Sequence, residues 1–120
     1  MKYQTTCRDR DIAIVGMSAR FPGAEDKAMF WKNLLDGVET ISTFTEEELR
    51  ASGIEEEMIA SSNYIRRRGI LGNAQYFDAN FFDITPRDAE IMDPQHRVFL
   101  ECSWHAFEDA GYVPSTYLSR

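Results

Sequence analysis

Ile12-Ala13-Ile14-Val15, closed by Gly16, is the run on which the fold class turns. It is short, uninterrupted and apolar, and all but Ala13 are β-branched. Such a run predicts a strand covered on both faces, as in a parallel sheet with helices on either side. A lone strand cannot satisfy its own backbone, and this sequence offers few neighbours for it.

Working outward, the signals turn helical. Phe21-Pro22-Gly23 marks a turn. From Asp26 to Gly37, Phe30 and Leu34, then Trp31 and Leu35, repeat at four-residue spacing, with Asp26 placed to cap and Gly37 to terminate. Thr45 followed by Glu48 is a capping box, in which hydroxyl and carboxylate each satisfy a free amide. That acidic helix should end near Gly53, and Glu55-Glu56-Glu57 suit the start of another turn. Tyr64 to Leu71 reads as extended. Tyr76, Phe77, Phe81 and Phe82 form an aromatic cluster, read as a core plug beneath a loop because no basic residues interleave them for base stacking. Thr85-Pro86-Arg87-Asp88 opens a short helix, and Asp93-Pro94 repeats the device to open a long one, running to about Ala110 and ended by Gly111 and Pro114. Val98, Cys102, Ala106 and Ala110 make one row, widened by Phe99, Leu100, Trp104 and Phe107, so this helix is expected to be buried on most sides. One strand with four or five helices makes the expected class α/β.

Composition narrows the function classes. The chain has 120 residues, a net charge of −7 and 43% apolar residues, which describes one globular domain or part of one. Between Asp36 and Glu57 stand eight acidic residues and one basic, Arg50, enough to account for the whole net charge. A uniformly basic nucleic-acid-binding face is therefore not expected. Arg66-Arg67-Arg68 is read as a solvated run with salt partners. Nothing resembles a signal peptide or a membrane span, and two cysteines without metal-type spacing suggest neither secretion nor a disulfide framework, so the expected setting is cytoplasmic.

Candidate chemistry is sparse. The turn after Ile12–Val15 lacks Gly-x-Gly-x-x-Gly and Gly-Lys-Ser/Thr, which argues against a phosphate cradle. Cys7 lies in a polar N-terminal tail, residues 1–10. Cys102 sits in the middle of the apolar row, where a cysteine packs as a small hydrophobe rather than ionising, although His105 could share its face. His96, in the first turn of the long helix, is read as structural. Glu101, Cys102 and His105 lack the fourth ligand and the loop geometry of a zinc site.

The ordered motifs carry a resemblance. Ile12-Ala13-Ile14-Val15-Gly16-Met17 and Arg20-Phe21-Pro22-Gly23-Ala24, then Phe30 to Gly37, then Phe77-Asp78-Ala79-Asn80-Phe81-Phe82-Asp83-Ile84-Thr85-Pro86-Arg87, and most of all Asp88 to Arg97 and on to Tyr112, resemble the opening of the β-ketoacyl synthase (ketosynthase) domains of modular type I polyketide synthases or hybrid peptide–polyketide lines. The resemblance spans Asp11 to Pro114. The family usually has glycine where Asp83 stands and often glutamate where Asp88 stands, and His96 in place of glutamine is a common variant.

This resemblance implies a thiolase-like α/β fold of which residues 11–120 form an incomplete N-terminal segment. It implies decarboxylative Claisen condensation by the whole domain: a cysteine takes an acyl group from a carrier-protein phosphopantetheine thioester, and two histidines assist. The implied partners are the remainder of the domain, an acyl carrier protein and a homodimer partner, with neither nucleic acid nor membrane. The family's nucleophile motif, of the type Thr-Ala-Cys-Ser-Ser, and both catalytic histidines lie beyond the helix that ends here. Cys7, Cys102, His96 and His105 match none of them. No catalytic, cofactor-binding or metal-binding residue is therefore carried over, and the chain by itself is expected to be inactive and either molten or aggregating. The alternative is a stand-alone interaction module built on a ketosynthase start, supported by the acidic segment and the arginine run alone.

Overall fold

The computed structural model describes residues 11–113. The polar stretch of residues 1–10 with Cys7, and Pro114 at the far end, lie outside the described residues. In chain order the elements are α1 (Lys27–Asp36), β1 (Ser42–Thr43), α2 (Glu46–Ala51), α3 (Glu56–Ala60), β2 (Arg67–Arg68), α4 (Pro86–Ile91) and α5 (Pro94–Asp109). Strands β1 and β2 pair antiparallel, Ser42 opposite Arg68 and Thr43 opposite Arg67.

The helix boundaries follow local chemistry. Asp26 accepts the Met29 amide at the start of α1, and Gly37 closes it with φ +64°, a left-handed conformation that glycine adopts without steric strain. The Thr45–Glu48 capping box forms in full at α2. Thr85 Oγ1 accepts the Asp88 amide at 3.2 Å, with Pro86 first in α4. Asp93 accepts the Gln95 amide ahead of Pro94 in α5, and the chain leaves α5 through Gly111 with φ +72°. Each cap satisfies an amide or carbonyl that the helix cannot satisfy within itself.

The predicted strand does not form. Residues 11–20 take neither helix nor strand. Ile12, Ile14 and Val15 are 95, 79 and 61% exposed. A strand exists only through a ladder, and nothing among the described residues offers Ile12–Val15 a neighbour. The extended reading of Tyr64–Leu71 narrows to Arg67–Arg68, which pairs with β1.

The expected burial of α5 on most sides is also not met. No α5 residue is fully buried, and Phe99 and Phe107 are exposed. The apolar face of α1 is likewise open at Trp31, Leu34 and Leu35, whereas Phe30 stacks on Phe21 with ring centroids 4.0 Å apart. Among the described residues the buried apolar side chains are Ala24, Leu49, Ile59 and Ala89. Leu49 and Ile59, one from each of α2 and α3, are the large ones.

Candidate functional site

A cleft of about 730 Å³ lies between residues 73–82 and one side of α5. Its floor is aromatic. Phe81 meets Trp104 edge-on at 4.7 Å and Phe82 edge-on at 5.0 Å, and Phe77 stacks on Phe82 at 5.1 Å. Phe77, Phe81 and Phe82 thus cluster with Trp104 as their partner on α5, but they are not the expected core plug: Phe81 is 52% exposed, and Phe77 and Phe82 are half-buried. Tyr76 stays 70% exposed and is not part of the cluster. Asp78 organises the loop by accepting the Phe81 amide at 3.0 Å. At the loop's end Asp83 has φ +55°. The position at which the resemblance expects glycine is therefore left-handed, a conformation that aspartate tolerates better than most residues.

The polar wall of the cleft is one ionic knot. Arg20 Nη1 donates to Glu101 Oε2 at 2.8 Å, and Arg20 Nη2 donates to the Gly72 carbonyl at 2.6 Å. The two side chains are only 15 and 24% exposed, so the pair ties residues 20, 72 and 101 more firmly than a surface ion pair would. Asn73 donates to Glu25 at 3.1 Å. No sequence pattern pointed to the Arg20–Glu101 pair, since the two residues are 81 positions apart.

A second knot lies at the far end of α5. Asp109 accepts the Met17 amide at 3.0 Å through Oδ2, and its Oδ1 takes the Lys27 ammonium. Lys27 Nζ also donates to the Met17 carbonyl at 3.2 Å. The Lys27 ammonium, and next the Met17 amide, hold the Asp109 carboxyl below its ordinary range. Gly16 lies against the same turn of α5. A Cβ there would sit 2.7 Å from Ala110 Cβ and would strike the Ala106 carbonyl oxygen, so this close approach requires glycine.

The sequence candidates do not converge on a reaction centre. Cys102, a free thiol, lines an apolar groove of about 330 Å³ with Leu71, Ala74, Val98 and Phe99. His105 turns to Glu108, Nδ1 to Oε2 at 2.9 Å, and that bond, followed by one from Trp104, lowers the Glu108 pKa. Glu101 is committed to Arg20. Glu101, Cys102 and His105 thus face three different partners, and no metal-holding group of three or more His, Cys, Asp or Glu occurs among the described residues. His96 is exposed in the first turn of α5.

The arginine run is consumed internally. Arg66 pairs with Glu46 at 2.8 Å and donates to the Ile59 carbonyl, Arg67 pairs with Glu39 at 3.0 Å, and Arg68 lies over the Phe44 ring at 4.5 Å. Half of the support for a stand-alone interaction module is therefore structural. No helix among the described residues is long and apolar enough to cross a membrane.

Comparison with known proteins agrees with the sequence motifs. Residues 9–120 match the family model described as the β-ketoacyl synthase N-terminal domain. The chain is 49% identical over 106 residues to a component of the phenolphthiocerol/phthiocerol polyketide synthase of Mycobacterium tuberculosis, covering 88% of this chain and 7% of that protein. It is 49% identical over 105 residues to the polyketide synthase PksN of Bacillus subtilis, covering 88% of this chain and 2% of that one. Ketosynthase twelve of the bacillaene polyketide synthase from Bacillus amyloliquefaciens superposes with a TM-score of 0.72 at 48% identity, over 84% of this chain and 18% of that structure. The chain thus spans a small fraction of each of these proteins.

Proposed function

This chain belongs to the β-ketoacyl synthase family and corresponds to the N-terminal part of a polyketide ketosynthase domain of thiolase-like fold, and from that premise we propose that it serves as a non-catalytic wall of a condensing domain. The whole domain would extend carrier-bound acyl chains by decarboxylative Claisen condensation. The partners in this reading are the rest of the domain, an acyl carrier protein and a second copy of the domain. The phosphopantetheine thioesters are substrates, and the setting is the cytoplasm.

The observation that carries the reading is unfinished burial. Ile12, Ile14, Trp31, Leu35, Ile91 and Phe99 are all more than half exposed, on segments whose sequence is written for a core. That exposure fits a surface that the rest of a ketosynthase covers.

Chemistry supports a scaffolding role. A thiol becomes a nucleophile when a helix N-terminus, an imidazolium or another cation stabilises its thiolate. Cys102 stands mid-helix among apolar side chains, and the neighbouring imidazole of His105 is engaged by Glu108. What this chain contributes is position: the Arg20–Glu101–Gly72 tie and the aromatic cluster fix α5 against residues 72–82.

Two measurements test the proposal. Intact-mass analysis of the full chain incubated with an acyl N-acetylcysteamine thioester should show no acyl adduct; an adduct lost in Cys102→Ala overturns the non-catalytic role. Residues 11–113 exchanged for the matching stretch of the bacillaene ketosynthase should give a domain that condenses thioesters. A well-folded exchange domain without condensation would overturn the ketosynthase reading.

A further inference from the structure

We draw no further inference here: the strongest candidate, the cleft between residues 73–82 and α5 with Phe77, Phe81, Phe82 and Trp104 on its floor and the Arg20–Glu101 pair on its wall, carries none, because nothing in the structure shows what covers it.

Discussion

Two regions of this molecule solve the same problem in opposite ways. Residues 39–68 close on themselves: α2 and α3 bury Leu49 and Ile59 at 1% exposure each, β1 and β2 pair, and Arg50 donates to Glu56 at 2.8 and 2.7 Å and to Glu46 at 3.1 Å. Even the ion pair of Arg67 with Glu39, which joins the two ends of this region, spans only 28 positions. Residues 11–20 with α5 are held by contacts spanning 81 to 92 positions and still leave Ile12, Ile14 and Phe99 in solvent. The difference is one of range. A unit whose partners are near in sequence loses little loop-closure entropy and completes itself, whereas a segment held only through distant positions bears the larger closure cost.

The comparison breaks most readily at its buried leucine. Leu49→Ala should cost about 3 kcal/mol, the loss of a fully buried side chain plus the cavity left behind. It should abolish amide protection across α2 and α3, while Ile14→Ala, at an exposed site, should change stability of the chain by less than about 0.5 kcal/mol. Equal effects from the two substitutions would erase the distinction between the regions. Gly16→Ala comes next. Its methyl group collides with α5 and should cost about 1–3 kcal/mol, seen as lost protection of the Met17 amide with α2–α3 untouched. Thr45→Ala removes the capping hydroxyl of α2 and should cost about 1 kcal/mol, read as faster exchange at the Glu48 amide.

The smallest expected effect is that of pH, and it sharpens the contrast. The Ile41 amide, with Arg67, lowers the Glu39 pKa, and Arg50 lowers that of Glu56. The unfolded chain binds these protons first as pH falls from the ordinary value of 4.5. The stabilisation is thus complete above that value and is lost as pH drops through the lower folded values. Both carboxylates are solvent-accessible, so the loss should be small and screened by salt. Protection of the α2–α3 amides, taken relative to the intrinsic exchange rate at each pH, should fall on acidification, and Arg50→Met should flatten that response. An unchanged pH response in Arg50→Met would show that the Arg50–Glu56 pair contributes nothing.

Much of the helical part was legible in the sequence. The caps at Asp26, Thr45, Thr85 and Asp93 and the stop at Gly37 each depend on residues within four positions, and each appears where the pattern placed it. The family was legible too, because ordered motifs from Ile12 to Tyr112 keep their spacing. Burial was not. The apolar rows of α1 and α5 foretell a core face, but exposure depends on what lies opposite, and here little does. The cleft is half legible: Tyr76, Phe77, Phe81 and Phe82 read as a core plug, but Tyr76 and Phe81 are exposed, and neither the partner Trp104 nor the Arg20–Glu101 tie leaves a local signal. Lys27 was the one available clue to the long-range contacts, as a cation at the wrong end of a helix.

By itself, then, the sequence determined where helices start and stop and which family the motifs belong to, because capping, turn chemistry and motif spacing are settled by near neighbours along the chain. Only the tertiary structure decided that Ile12–Val15 stands unpaired among the described residues, that Gly16 must be a glycine, and that Asp109 joins Met17 to Lys27. The Asp109 contacts join groups 82 and 92 positions apart and Gly16 is pressed against Ala106 and Ala110, separations over which no local pattern carries information.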